Sequence, residues 1–355
     1  MNAPVNRSPN TPGPNIPAVQ NPALALADCW QRAFPLDPEP FATLAAEAEL
    51  SRLEVIDLMQ GLKDQGVLAR IGAAVRPNTA GASTLAAMAV PGERLEEVAA
   101  LVNGHPAVNH NYERDHGINL WFVVTAGNRA EVTSTLDAIA AQTGIEVLDL
   151  PLERSYHIDL GFRLAGGRRR TTGHASAGDR TSGPCVVDEG DRALLKALED
   201  GLDLEPRPYA RLAARIGWRE EDVLTRLQSL IDRGVVSRFG CILRHRRLGY
   251  LANAMAVWEV PDELVDDIAK KLAGRDEVTL CYRRTRRLPA WRYNLFAMIH
   301  GHEHAAVEDQ IAAAARETGL DVYASAILFS RRCFKQSGAR LAPRLSPVQR
   351  IKGAA

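Results

Sequence analysis

Two stretches of this chain spell one pattern at a fixed distance, and that repetition limits the fold more than any other feature. Pro40-Phe41 recurs as Pro208-Tyr209, Leu44-Ala45 as Leu212-Ala213, Arg70-Ile71-Gly72 as Arg238-Phe239-Gly240 and Gly81 as Gly249, always 168 residues apart. The spacing steps to 170 between Val108 and Val278, then to 175 between Asn119 and Asn294 and between Gly144 and Gly319. Fixed registers broken by small steps at loops mark a duplication, so each copy must be one supersecondary unit. With 355 residues, 46% of them apolar, each copy can bury its own core.

Each copy reads as two parts. In the first, the periodic stretches 41–48 and 52–64 predict two helices, with Ser51 as N-cap of the second. Gly66 to Arg70 then turns into a strand, which makes a winged helix-turn-helix over 23–76; its counterpart spans 188–244. The following segments, 77–162 and 245–336, alternate strand and helix. Strands are expected at 83–90, 107–114, 119–126 and 146–152. Leu95, Val98, Ala99 and Val102 form one helical stripe, mirrored by Val265, Ile268, Ala269 and Leu272. Val132, Leu136, Ile139 and Ala140 form another, mirrored by Val307, Ile311, Ala314 and Ala315. In the second copy strands are expected at 278–284, 293–300 and 321–329. The order βαββαβ is the ferredoxin-like plan, whose open sheet face needs a partner. The fold class is therefore α+β, a tandem and pseudo-dimeric repeat with a cleft between two sheets. Residues 1–22 read as a disordered arm, 163–187 as a linker whose Arg168, Arg169 and Arg170 are solvated, and 337–355 as a tail.

A net charge of zero gives no surface built for polyanions. No apolar run reaches bilayer length, and the N-terminus lacks a signal-peptide core, so a cytoplasmic protein without membrane contact is expected. Five scattered cysteines without a CxxC fit a reducing compartment and offer no zinc site.

A helix-turn-helix joined to a ferredoxin-like unit resembles the Lrp/AsnC transcription regulators and their effector domains. Their DNA contacts need basic recognition helices. Here Arg52 and Lys63 face Glu54, Asp57 and Asp64, while Arg219, Arg226 and Arg233 face Glu220, Glu221, Asp222 and Asp232. Both helices are net acidic, so DNA binding is not expected. A transcription regulator or a tetrapyrrole sensor is the alternative function.

The stretch from Val108 to His116 is the most unusual. In a regular strand it places His110, Tyr112, Arg114 and His116 on one face. Such residues are poor core formers without partners, so they form either a satisfied polar network or a ligand site. The second copy has Tyr282, Arg283, Arg284, Trp291 and Tyr293 in a longer hairpin. Arginine clamps carboxylates and aromatic rings stack on flat ligands, which suits a planar polyanion; a solvated basic hairpin is the other reading. His300 ends the following strand as a pocket residue. His302 and His304 lie beside it without acidic or cysteine partners, so no protein metal site is expected.

The sequences HNYERDH and NLWF in the first copy, with CYRR, PAWRYNLF and MIHG in the second, resemble the siroheme decarboxylase branch of the Lrp/AsnC fold. That resemblance spans about residues 24–336 and implies conversion of siroheme to 12,18-didecarboxysiroheme, for heme d1 or an alternative heme. It implies His110, Arg114 and His116 as catalytic residues, with His110 or His116 as proton donor or as axial contact to the substrate iron. It places Arg70, Tyr112, Tyr282, Arg283, Arg284, Trp291, Tyr293 and His300 around the macrocycle. Siroheme brings its own iron, so no added cofactor is required. Related decarboxylase subunits and a pseudo-dimer or homo-oligomer are the expected partners.

Overall fold

A computed structural model describes residues 21–158 and 187–338. The expected arm, linker and tail, with Arg168 to Arg170, lie outside these apart from their edges. The first copy runs α1 (Pro22–Cys29), α2 (Pro40–Ala48), α3 (Arg52–Asp64) and β1 (Leu68–Val75). It continues as β2 (Ala82–Met88), α4 (Leu95–Gly104), β3 (Val108–Arg114), β4 (Leu120–Ala126), α5 (Arg129–Thr143) and β5 (Leu148–Ile158). The second runs α6 (Glu189–Ala197), α7 (Pro208–Ile216), α8 (Glu220–Asp232) and β6 (Val236–Leu243). It then gives β7 (Ala252–Trp258), α9 (Val265–Ala273), β8 (Val278–Arg284), β9 (Leu295–Gly301), α10 (His304–Thr318) and β10 (Ser325–Gln336).

Local chemistry explains the helix starts. Ser51 accepts from the Glu54 amide while Glu54 reaches back to the Ser51 amide, a complete capping box at α3. Asp188 and Asp191 repeat the device at α6. The opening helices α1 and α6 lie outside the periodic stretches read from the sequence.

The two wings pair with each other. β1 and β6 run antiparallel with Gly72 opposite Gly240, the same repeat position in both copies, so a pseudo-twofold axis passes there. All the helices of both helical units then share one core, in which Phe34, Phe41, Tyr209 and Phe239 meet edge to face or tilted.

The ferredoxin-like units are joined more tightly than two stacked sheets. β5 and β10 are both longer than the sequence pattern indicates, and each extension pairs with the other copy: β5 with β8 and β10 with β3. The eight strands close into a barrel in the order β10-β3-β4-β2-β5-β8-β9-β7. The expected cleft is thus a barrel interior. Closure removes both open edges, which leaves no unpaired strand rim. Helices α4 and α5 cover one outer flank over Phe122 and Val124; α9 and α10 cover the other over Ala297 and Ile299. Alternate residues point inward and build a separate core of Trp121, Leu150, Met255, Trp291, Phe296, Met298 and Leu328. Among the described residues no helix is long and apolar enough to cross a membrane.

Candidate active site

Three of the four first-copy residues share the inward face of β3. Asn111 and Glu113 point outward: Asn111 donates to the Ala99 carbonyl and to Asn103 of α4, and Glu113 pairs with Arg332. His110, Tyr112 and Arg114 therefore face inward, with the His110 and Tyr112 rings stacked at 6.2 Å between centroids. The Arg114 guanidinium lies 6.0 Å from the Tyr112 ring centre. It donates to the Leu328 carbonyl at 2.9 Å, across the copy boundary, and its buried Nε has no partner among the described residues. Burial pulls Arg114 down to about 10, the mark of a cation held away from water without a carboxylate. Burial likewise raises the Tyr112 phenol, whose hydroxyl lies against the Cys333 thiol.

His116 is not on that strand. β3 ends at Arg114, so His116 belongs to the turn before β4. Its ring nonetheless meets the second copy, 5.6 Å from Trp291. The Ile118 amide donates to its Nδ1 at 3.0 Å, which leaves the ring hydrogen on Nε2. His110 has the opposite arrangement. Asn109 Oδ1 sits 2.9 Å from its Nδ1, and Asn109 Nδ2 donates to Thr125, so the carbonyl end of Asn109 faces the ring. The hydrogen of His110 is on Nδ1 and its Nε2 carries a lone pair. Burial first, then the nearby Arg70 guanidinium, lower His110 to about 4, so the free chain holds it neutral at neutral pH.

The second copy repeats half of this constellation. Arg284 lies 4.7 Å from the Tyr282 ring centre and donates to the Leu150 carbonyl at 2.7 Å, the mirror image of Arg114 and Leu328. Arg114 and Tyr282 are close enough to interact electrostatically, so both copies line one interior. Leu280 takes the place of His110, however, and no imidazole stands there. Arg283 departs from expectation. As a residue of the opposite strand face it points out of the barrel, where Glu153 and Asp262 bind it at 2.7 and 2.9 Å. Trp291 is not an open stacking platform either. It is only 1% exposed, wedged edge to face against Trp121 at 4.9 Å and Tyr293 at 5.0 Å. His300 is half-buried at the end of β9 and shares a hydrogen bond with Thr279 at 3.1 Å.

Arg70 of β1 reaches close enough to His110 to repel its charged form. Gly201 and Gly338 pack on its side chain. Its Nε is buried without a partner among the described residues, and burial lowers its pKa. Sequence reasoning missed two neighbours. Arg246 donates to the Ser330 side chain at 2.9 Å and sits close to Tyr112 and Arg114; Trp121 forms the floor under Trp291. Arg246 was visible only as part of the basic run 244–247, where nothing separates a site residue from a solvated one. Among the described residues no group of His, Cys, Asp or Glu is arranged to hold a metal ion.

Comparison with known proteins gives matches along nearly the whole chain. Residues 80–157 and 247–335 match the family model of the AsnC-like ligand binding domain. Residues 23–68 and 191–236 match that of the siroheme decarboxylase NirDL-like HTH domain. The siroheme decarboxylase NirDL subunit of Paracoccus denitrificans (strain Pd 1222) is 44% identical over 319 residues, covering 90% of this chain and 97% of its own. The half-length siroheme decarboxylase NirD subunit of Pseudomonas aeruginosa is 46% identical over 139 residues, which cover 39% of this chain and 93% of its own. Among solved structures, the siroheme decarboxylase NirDL in complex with an iron-uroporphyrin III analogue superposes with a TM-score of 0.65 at 29% identity. That match covers 90% of this chain and 94% of the other.

Proposed function

The chain belongs to the siroheme decarboxylase NirDL family, and from that premise we infer that it removes carbon dioxide from two acetate side chains of siroheme. The product is 12,18-didecarboxysiroheme, on the route to heme d1. One observation carries the assignment of the site: His110, Tyr112 and Arg114 stand side by side on the inward face of β3, with the Arg70 and Arg246 guanidiniums close by.

Each decarboxylation breaks the bond between the acetate methylene and its carboxylate. Carbon dioxide departs, the electron pair stays on the methylene carbon, and the conjugated macrocycle spreads it. One proton then completes the methyl group. The ring is its own electron sink and siroheme carries its own iron, so the protein adds no organic cofactor. Its tasks are to hold the remaining carboxylates, keep the reacting acetate dry and deliver two protons in succession.

Arg70, Arg114 and Arg284 hold carboxylates, since a guanidinium binds them bidentately and each is already desolvated. His110 delivers the proton. Its Nδ1 hydrogen is fixed by Asn109, so a second proton enters at Nε2, the nitrogen left free for substrate. Carboxylates brought in by siroheme reverse the repulsion from Arg70 and raise its pKa. His116, whose Nε2 bears the hydrogen, donates to a carboxylate instead. An axial bond from His110 Nε2 to the iron is the competing use of the same lone pair. The polypeptide is similar to both the NirL and the NirD subunit types, and related decarboxylase subunits, as well as a second copy of this chain, are its expected partners.

The regulator reading has an observation against it. Arg226 of α8 and Arg233 at its C-cap are taken by Asp188 and Asp191 at 2.6 to 2.9 Å, so phosphates would have to displace internal ion pairs.

The test is anaerobic incubation of the purified chain with siroheme and nothing else, followed by mass spectrometry of the extracted pigment. Loss of two carbon dioxide masses is expected. Pigment recovered bound and unchanged, also after related decarboxylase subunits are added, would sink the decarboxylase reading in favour of a sensor.

A further inference from the structure

The loop between β8 and β9 in the second copy is five residues longer than its first-copy counterpart, as the repeat spacing rises from 170 to 175 across it. It carries Trp291 into the barrel interior, where that ring meets Trp121 and His116 of the first copy. A loop with an exposed tip, where Leu288 is 71% exposed, does not hold a tryptophan in place by itself. Its foot is pinned instead by a carboxylate from the turn before α9. Asp262 Oδ1 accepts from Arg286 at 2.8 Å, Arg283 at 2.9 Å and Asn294 at 3.2 Å. Arg286 in turn donates to the carbonyls of Val260 and Arg292, and so ties the returning limb of the loop to the same turn. Arg287 and Trp291 close the loop with reciprocal backbone hydrogen bonds of 2.7 and 2.6 Å.

The first copy shows what this post is for. Asn119 clamps Val90 there just as Asn294 clamps Val260, so the asparagine belongs to the shared fold. The three charged positions do not. Gly92 stands at the place of Asp262 and Glu113 at that of Arg283, while Arg286 falls in the segment where the spacing steps from 170 to 175. Both aligned positions differ where the hairpin is short and no tryptophan is delivered.

We propose that Asp262 is a positioning residue: it fixes the 285–292 loop through Arg286 and Arg283, and thereby sets where Trp291 meets His116. Isolated exposed ion pairs do little, but one oxygen shared by three donors, all three also braced elsewhere, fixes geometry. The proposal rests on the decarboxylase reading only for its effect on turnover.

The experiment uses the full chain with Asp262→Ala and Asp262→Asn. Asp267→Asn is the control, because it removes the same charge from an exposed pair with Lys270 that does not touch the loop. The indole N–H signal of Trp291, assigned by its loss in Trp291→Phe, is followed in a proton–nitrogen spectrum beside the signals of the other four tryptophans. Siroheme turnover is measured on the same samples. Asp262→Ala is expected to move the Trp291 signal and lower kcat/KM about tenfold to a hundredfold, as a misplacement near 1 Å does. Asp267→Asn should change neither. Should Asp262→Ala not fold, the near-isosteric Asp262→Asn carries the test. An unmoved Trp291 signal with kcat/KM within about twofold of the parent chain overturns the proposal. A parent chain without turnover even when related decarboxylase subunits are added overturns the decarboxylase reading instead, and the Trp291 signal alone then decides whether Asp262 holds the loop.

Discussion

His110 and His116 are the same residue type six positions apart, yet their hydrogen bonds give them opposite tautomers. Only His110 is left with a bare Nε2 and with a pKa that burial and Arg70 lower to about 4. Two consequences follow from linkage. A histidine kept neutral in the folded state binds its proton more readily when unfolded. Its stabilising contribution is therefore complete above the unfolded value near 6.5 and is lost as pH falls towards 4. Between pH 7 and 5 that loss amounts to up to about 2 kcal/mol. Urea titrations at the two pH values should differ by less in His110→Gln than in the parent chain; equal differences would refute the buried neutral histidine. Secondly, siroheme should bind with uptake of close to one proton near neutral pH. Calorimetry in buffers of differing ionisation enthalpy measures this, and His110→Gln should abolish it. Arg114→Met keeps the length and removes the charge. It is expected to weaken siroheme binding by about tenfold to a hundredfold, the usual worth of a hydrogen bond to a charged group. Spectrophotometric titration reads it. The pairing of Tyr112 with Arg114 was legible from strand alternation. The tautomers were not, because they depend on Asn109 and Ile118 in a local bulge and a turn.

Helices and most strands could be read from periodicity because each buries one face within its own copy. The β5 and β10 extensions could not. Glu153 to His157 and Ser330 to Lys335 alternate poorly in hydrophobicity, and the strands they pair with lie in the other copy. The pairing of the two wings was hidden for the same reason; Gly72 stands opposite Gly240 in it. A Cβ on Gly240 would fall 2.5 Å from the Trp30 and Gln31 carbonyl oxygens, which are backbone and cannot move aside. Gly61, inside α3, has nothing within 4 Å of the same atom. Gly240→Ala should therefore cost about 1–3 kcal/mol by overpacking. Gly61→Ala should gain about 0.5–1 kcal/mol from helix propensity. Denaturant midpoints of the two variants should move in opposite directions. Movement in the same direction would show that the ribbon is not packed against the 30–31 segment as described.

Three separate antiparallel ladders join the copies: β1 with β6, β5 with β8 and β10 with β3. The last two close a barrel that neither half can close alone, since each half would expose two strand edges and the aromatic interior around Trp121 or Trp291. A covalent connection raises the effective concentration of one half for the other. The relatives include a half-length subunit. A protease site placed in the 163–184 segment and cut after folding should therefore leave the two pieces bound one to one, with siroheme turnover close to that of the intact chain. Re-expression of either piece alone should give no turnover, because Arg114 then loses the Leu328 carbonyl and Arg284 the Leu150 carbonyl. Size-exclusion chromatography with an activity assay on the cut protein decides it. Separation of the pieces at micromolar concentration would mean that the barrel depends on the linker, and that the interior between the copies is not a stable site.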